Sequence, residues 1–522
     1  MSSGMQTVEK KSSVQNGVSR LALTAVSIIL EAAVILLIVL RLNDYAEWIA
    51  IGTRILAAFL VLAIYAQNTT SAMKIPWIIL IMMLPVLGVT LYLLIGFSGS
   101  TRTMRKRYAE IDEILLPKLP ENAGVLSRLR EKNGHLGNIA RYVQGDSGYP
   151  VYQNTDIEYY DDGAAGLEAQ KTELRKAEQF IFMEYHAIED AESWHGIQEI
   201  LEEKAKAGVE VRVFYDDMGS IGFINTDFVK RMEGKGIRCR VFNPFAPGLK
   251  VFLNNRDHRK ITVVDGKVGF TGGYNLANEY FNITHPYGMW KDTGIKITGE
   301  AVRSLTVTFL ENWNAVKDGD KDDTRFEHYL PLPDHHAREK DAFVQPYADS
   351  PLDDEHIGED VYINILNKAV RYCWFITPYL IITDEMAHAF ILAAKRGVDV
   401  RIITPGIPDK KIVYQVTRSN YKQLTRFGVR IYEWTPGFCH CKMCVADDIA
   451  ATCGTINLDY RSLYHHFENG CLYMNCQAVE DTRRDFESIL SESREVTEEY
   501  TTGKSARFHV EHLILKLFAP LL

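Results

Sequence analysis

The sequence predicts an α/β protein in which two repeated halves form one pseudo-twofold unit, preceded by N-terminal transmembrane helices. Three observations predict this fold class. Two similar stretches, 205–213 and 394–402, each have the pattern of a helix end, a glycine and a short buried strand. One polar motif occurs once in each half with the same internal spacing. Three apolar runs lie within the first hundred residues.

The length and composition indicate a multidomain globular protein. With 522 residues the chain is too long for one ordinary core, so two or three domains are expected. Its formal net charge of -9 argues against nucleic acid as a partner, because nucleic-acid binding favours a basic face. The eight cysteines follow no regular framework, which favours reduced thiols in the cytoplasm.

The N-terminal region has the composition of a membrane anchor. Apolar runs cover 21–40, 46–66 and 75–97, and a helix needs ~20 apolar residues to cross a bilayer. We therefore expect an anchor of two or three transmembrane helices over 1–100. The basic cluster at 102–107 favours the cytoplasmic side. The sequence thus predicts a multi-pass protein of the cell membrane with its catalytic part in the cytoplasm.

The remaining chain divides at changes in composition. Residues 317–340 are rich in Asp, Lys, His and Pro, as in a solvated linker. Apolar side chains between 507 and 522 mostly share one helical face, which suits either a helix in the membrane interface or a cap on the soluble core. The expected segments are a juxtamembrane connector at 101–150, a first half at 151–320, a linker at 321–340, a second half at 341–500 and a C-terminal amphipathic helix at 501–522.

The motif shared by the halves has the spacing H-x-K-x4-D-x6-G-x2-N. On a strand, its His and Lys point to the same face, since they lie two residues apart. The Asn on the following segment can join them. The members are His258, Lys260, Asp265 and Asn275 in the first half, and His440, Lys442, Asp447 and Asn457 in the second.

These residue types suit phosphodiester chemistry. Lysine and asparagine can donate hydrogen bonds to the non-bridging oxygens of a phosphate. One imidazole can attack phosphorus, while a second can protonate the leaving alkoxide and later deprotonate the acceptor. Because each half holds one such histidine, both halves are required. The two motif aspartates are expected to hold the turn or the lysine.

The paired motif resembles the HKD signature of the phospholipase D superfamily, and the wider sequence resembles the bacterial cardiolipin synthases of that superfamily. The resemblance covers nearly everything from residue 75 onward. Further matching segments are 85–88, 92–96, 215–220, 377–379, 457–462 and 520–522.

The resemblance implies transfer of a phosphatidyl group between two phosphatidylglycerol molecules, with release of glycerol, through a phosphohistidine. It implies that His258 is the nucleophile and His440 the acid/base, with no cofactor or metal and no nucleic-acid partner. Asp292 and Glu468 are the expected carboxylate partners of the two imidazoles, ordinary buried ion pairs being the alternative. Phosphatidylglycerol and the bilayer are the expected partners, and the oligomeric state stays open.

Two other functions are consistent with parts of the sequence. With water as acceptor, the same chemistry would give a membrane phospholipase D or a nuclease, and the apolar runs favour a lipid substrate. The segment around Cys439, Cys441 and Cys444 resembles a zinc knuckle, which would suit a zinc-stabilised membrane scaffold. On a strand, however, Cys439 and Cys441 point away from His440, so buried thiols without metal are the expected arrangement.

Overall fold

The computed structural model describes residues 47–67, 69–93, 101–244, 255–316 and 325–503, together with a few single positions between 26 and 37. The helices are α1 (Glu47–Tyr65), α2 (Ser71–Met83), α3 (Pro85–Leu91), α4 (Thr101–Leu115), α5 (Ala123–Lys132), α6 (Gly134–Ser147), α7 (Gly163–Leu174), α8 (Glu192–Lys206), α9 (Asp217–Ser220), α10 (Phe228–Gly234), α11 (Val302–Val316), α12 (Ile357–Lys368), α13 (Asp384–Lys395), α14 (Lys411–Thr425), α15 (Tyr460–Tyr464), α16 (Gln477–Ser491) and α17 (Thr497–Thr501). The strands are β1 (Thr155–Tyr160), β2 (Phe180–Tyr185), β3 (Glu210–Asp216), β4 (Arg238–Phe242), β5 (Arg256–Asp257), β6 (Lys260–Val264), β7 (Val268–Gly272), β8 (Met289–Lys291), β9 (Gly294–Gly299), β10 (Phe343–Asp349), β11 (Tyr372–Ile376), β12 (Leu380–Ile381), β13 (Asp399–Pro405), β14 (Arg430–Trp434), β15 (Gly437–Cys439), β16 (Met443–Ala446), β17 (Ala450–Gly454), β18 (Leu458–Asp459), β19 (His466–Met474) and β20 (Ser493–Glu495).

Two sheets with the same strand order form the centre of the molecule. The first has the order β1-β9-β7-β6-β2-β3-β4, and the second has the order β10-β19-β17-β16-β11-β13-β14, followed by β20. In each sheet the last three strands of the shared order are parallel, and the other pairs are antiparallel. The prediction of an α/β fold with two repeated halves is confirmed.

The repeated stretches at 205–213 and 394–402 have the local structure that their sequences predict. In both, a helix ends at a glycine with positive φ, and a buried strand follows. Gly208 and Gly397 each have a φ of 91°, a conformation that residues with a Cβ rarely adopt. The following strands, β3 and β13, are largely buried and take equivalent positions in their sheets.

One hydrophobic core joins the two halves. It contains side chains of both sheets and of α11, where Phe309 stacks on Phe182 with ring centroids 4.6 Å apart. The predicted connector also contributes to this core, because Tyr108 of α4 stacks on Phe467 of the second half at 4.9 Å. The helices after the N-terminal region therefore pack directly against the two halves.

The N-terminal helices differ from the prediction. The apolar run at 75–97 is long enough to predict one span, but α2 ends at Met83 and α3 begins at Pro85, where proline cannot donate the hydrogen bond that continuation requires. None of the helices in the described residues combines the length and hydropathy that crossing a bilayer requires. α1 nevertheless exposes large apolar side chains, with Phe59 67% and Leu62 64% accessible.

Some predicted segments lie outside the described residues. Most of the first apolar run, the start of the linker and the C-terminal amphipathic helix after residue 503 belong to these. Within the described part of the linker, Phe326 and Tyr329 are buried, and the Tyr329 ring packs against Phe180 with centroids 5.2 Å apart. This part of the linker thus covers the first sheet.

Candidate active site

Two short strand pairs connect the halves and position both motif histidines. β5 immediately precedes His258 and pairs in parallel with the start of β19, so that Asp257 lies opposite Phe467. β15 immediately precedes His440 and pairs in the same way with β8 of the first half. The histidine backbone extends each ladder, since the His258 N–H donates to the Phe467 carbonyl at 2.9 Å. Each histidine therefore faces a strand of the opposite half.

As a result, each motif histidine contacts the predicted carboxylate of the opposite half. His258 Nδ1 lies 2.8 and 2.9 Å from the carboxylate oxygens of Glu468. His440 Nδ1 lies 2.8 Å from Asp292 Oδ2. All four residues are buried. Because a carboxylate only accepts, Nδ1 carries the ring proton and Nε2 keeps its lone pair. Both imidazoles are thus held in the tautomer whose Nε2 lone pair can act as a nucleophile or a base.

The electrostatic surroundings keep both rings neutral. Burial, with further repulsion from Lys260, holds the pKa of His258 well below its usual range. Burial and Lys442 lower the pKa of His440 to about 4. His440 and Lys442 also act on His258, so the two motifs share one electrostatic environment. At neutral pH each Nε2 is available as a base or a nucleophile.

The motif lysines lie beside the histidines, as their spacing predicts. Lys260 Nζ donates to the His258 carbonyl at 2.6 Å, and Lys442 Nζ donates to that of His440. Burial lowers the pKa of Lys260 to about 7 and that of Lys442 to about 8. An anion between them would favour their charged form, because opposite charges raise the pKa of an amine.

The two motif asparagines have different surroundings. Asn275 Oδ1 accepts from the Ala187 N–H at 3.1 Å, and its Nδ2 donates to the Tyr280 hydroxyl at 2.8 Å. Its amide therefore supports Tyr280, whose ring packs on His440 with centroids 5.2 Å apart. Asn457 Oδ1 is buried without a hydrogen-bond partner. Asn275 thus uses both of its amide atoms within the protein, whereas the unpaired atom of Asn457 is an acceptor, which cannot itself donate to a phosphate oxygen.

The motif aspartates lie at the far ends of their strands and hold the backbone. Asp265 accepts from the N–H groups of Glu178, Gln179 and Phe180, each at 2.8 Å. Asp447 accepts from three N–H groups at the start of β11 in the same way, at 2.7 to 2.9 Å. The interpretation that these residues hold a turn agrees with this geometry.

Replacing Asp265 by asparagine is expected to destabilise the fold by about 2 kcal/mol, since one charge-assisted acceptor becomes a donor that faces a backbone N–H. The change should lower the midpoint of thermal unfolding in detergent. Asp334→Asn, at an exposed position, is the matched control and should leave the midpoint unchanged. A D265N protein with unaltered stability and no turnover would instead indicate a direct catalytic role.

The two histidines have different neighbours, and sequence reasoning missed this asymmetry. The rings of His186 and His466 lie 5.0 and 5.5 Å from that of His258. Around His440 the neighbouring rings are aromatic, with Trp290 at 5.3 Å and Tyr280 at 5.2 Å. The available signal was position: His466 precedes Glu468 by two residues on one strand, so both point to the same face.

The two halves also differ in the residue that lies beside the carboxylate, which is Glu468 in one half and the shorter Asp292 in the other. Thr455, one residue after the motif glycine, donates its hydroxyl to Glu468 Oε2. The equivalent residue in the first half is Gly273, where a Cβ would lie 2.0 Å from Asp292 Oδ1. A side chain therefore fits only beside the longer glutamate, where it provides an additional hydrogen bond.

The cysteine-rich segment does not have the geometry of a zinc knuckle. Cys439, Cys441 and Cys444 are buried, and burial raises the pKa of each thiol above its usual range. Among the described residues, the grouping of potential metal ligands consists of His258, His466 and Glu468, with no cysteine in it. The thiols act here as small buried side chains.

Comparison with known proteins agrees with this geometry. A family model described as "Cardiolipin synthase, PLD-like domain" matches residues 171–313 and 362–490. A cardiolipin synthase of Geobacillus kaustophilus is 31% identical over 470 residues, covering 89% of this chain and 92% of the relative. The chain belongs to the cardiolipin synthase family. An uncharacterized protein of Streptococcus mutans is 42% identical over 86% of this chain and 96% of its own length.

Two further comparisons extend the family assignment to the N-terminal region and to the fold. A model of the phospholipase D-nuclease N-terminal region matches residues 55–96, which include α2 and α3 of this family member. The crystal structure of phosphatidylserine synthase from Haemophilus influenzae has a TM-score of 0.54 at 15% identity. It covers 74% of this chain and 98% of its own, and shows that the fold is shared.

Proposed function

We propose that the protein is a cardiolipin synthase, which transfers a phosphatidyl group from one phosphatidylglycerol to a glycerol hydroxyl of a second and releases glycerol. The observation that carries this proposal is the pair of neutral imidazoles, His258 and His440, each oriented by a carboxylate of the opposite half. Family membership supports the lipid substrate, and it supports transfer rather than hydrolysis.

In the first step, the Nε2 lone pair of one histidine attacks phosphorus, and the bond from phosphorus to the glycerol oxygen breaks. The departing oxygen needs a proton, although both rings are neutral before the substrate binds. Because a bound anion favours imidazolium, we expect the pair to take up one proton together with the phosphodiester. The second histidine then gives this proton to the leaving glycerol.

In the second step, a glycerol hydroxyl of another phosphatidylglycerol gives its proton to the same acid/base histidine. Its oxygen attacks phosphorus, the bond from phosphorus to nitrogen breaks, and the nucleophilic histidine is regenerated. We propose His258 as the nucleophile and His440 as the acid/base, following the family resemblance. Lys260, Lys442 and Asn457 would donate hydrogen bonds to the non-bridging oxygens, while Asn275, Asp265 and Asp447 support the site.

We further propose that the N-terminal region anchors the protein in the cell membrane and that the catalytic part faces the cytoplasm. The exposed apolar side chains of α1 support membrane contact. The basic residues at the start of α4 support a cytoplasmic position for the two catalytic halves. A lipid substrate could then reach the site without leaving the bilayer.

The proposed reaction is tested by incubating the purified protein with phosphatidylglycerol vesicles and quantifying all products. Cardiolipin and glycerol are expected in equal amounts, because each transfer releases one glycerol. Phosphatidic acid as the main product would identify a hydrolase instead. A membrane scaffold would give neither product and would be indifferent to the loss of His258.

A further inference from the structure

His466 is a buried imidazole that the proposed reaction does not use. Its side chain is only 10% accessible, and neither ring nitrogen has a hydrogen-bond partner. Leaving two buried polar atoms unpaired is costly, so such a group is a candidate to bind a ligand. Glu468 Oε1 lies 3.7 Å from His466 Nδ1. The same oxygen lies 2.8 Å from His258 Nδ1.

The three groups have the spacing of a metal site. The ligand atoms of His258, His466 and Glu468 all lie within 4.8 Å of one another. A tetrahedral zinc ion with bonds of about 2.1 Å needs donor atoms about 3.4 Å apart. The separations of 2.8 and 3.7 Å lie on either side of this value. The third separation, between the two imidazoles, lies within 4.8 Å, so coordination would draw the three donors to this common spacing.

We propose that His258, His466 and Glu468 form an inhibitory zinc site. The ion would take the place of the proton between His258 Nδ1 and Glu468, and the ring would stay neutral by carrying its proton on Nε2. That nitrogen would then have no lone pair, so His258 could neither attack phosphorus nor accept a proton. Zinc would thus lock the tautomer that the catalytic step cannot use.

The other half of the site lacks the third ligand. The residue that corresponds to His466, two positions before the carboxylate, is Trp290. Trp290 packs against the His440 ring at 5.3 Å and offers no atom for coordination. His186, whose ring also lies near that of His258, is not part of the grouping of potential ligands. Zinc is therefore expected to act through His258 and not through His440.

The proposal is tested with the full-length protein in phosphatidylglycerol vesicles and with Zn²⁺ alone as the probe. Equilibrium dialysis should show a bound zinc whose affinity falls at least about tenfold in His466→Asn. Turnover of the wild type should fall with added zinc and return with chelator. His195→Asn, at a half-exposed histidine on α8, controls for the loss of an imidazole and should behave as the wild type.

Each activity is compared with that of the same variant without zinc, so a lower basal rate in H466N does not obscure the result. His466→Gln provides a second variant if H466N folds poorly. Equal zinc affinity and equal inhibition in the wild type and both variants would overturn the proposal. The inhibition rests on the proposed function, but dialysis does not. A protein that binds zinc and forms no cardiolipin even when zinc is absent would reject the synthase and retain the metal site.

Discussion

Replacing either His258 or His440 by alanine is expected to abolish phosphatidyl transfer, with kcat lower by roughly 10⁴-fold or more. The two rings perform successive parts of one reaction, so neither can replace the other. One must form the bond to phosphorus, and the other must supply and remove the proton on glycerol. The measurement is cardiolipin formation from phosphatidylglycerol vesicles, with the circular dichroism spectrum of each variant compared with that of the wild type.

The double variant tests whether the histidines act as a unit. Groups that depend on each other show strongly non-additive effects, so H258A/H440A should be about as slow as either single variant. His195→Ala removes a half-exposed imidazole and should retain full activity. A single variant of either motif histidine with more than a few per cent of wild-type turnover would contradict the paired mechanism.

Much of the fold and the reactive pair could be predicted because the relevant information is local and occurs twice. A helix end, a glycine and a buried strand have the same pattern at Gly208 and Gly397. The motif spacing places His258 beside Lys260 and His440 beside Lys442, since alternate residues of an extended chain share a face. Both relations depend only on neighbours in sequence, and the structure has both.

The cross-pairing of the carboxylates could not be predicted in this way. It depends on contacts of β5 and β15, which are only two and three residues long, with strands far away in sequence. Nothing local indicates that Glu468 faces His258 when His440 is nearer along the chain. The unpaired ring nitrogens of His466 could not be predicted either, because only the folded structure shows that neither has a hydrogen-bond partner. The break at Pro85, in contrast, had a visible signal in the proline itself.

Exchange of the carboxylates for amides is expected to show the crossed arrangement directly. Glu468→Gln and Asp292→Asn should each lower kcat by about 10³- to 10⁴-fold, because an amide N–H directed at Nδ1 forces the ring proton onto Nε2. In E468Q the donated hydroxyl of Thr455 favours an oxygen at Oε2, which places the new amino group at the Oε1 position, 2.8 Å from His258 Nδ1. Thermal unfolding should change little, since the residues keep their shape.

The defects of the two amide variants can be separated with a phosphatidyl ester of p-nitrophenol, whose leaving group needs no proton. A variant that has lost only its acid still releases one burst of nitrophenol, whereas one that has lost its nucleophile does not. With His258 as the nucleophile, D292N and H440A should show the burst, and E468Q and H258A should not. If each carboxylate served its own half, E468Q would instead behave like H440A. If E468Q and H258A instead show the burst while D292N and H440A do not, His440 is the nucleophile. The crossed pairs still hold in that case, because E468Q again behaves like H258A.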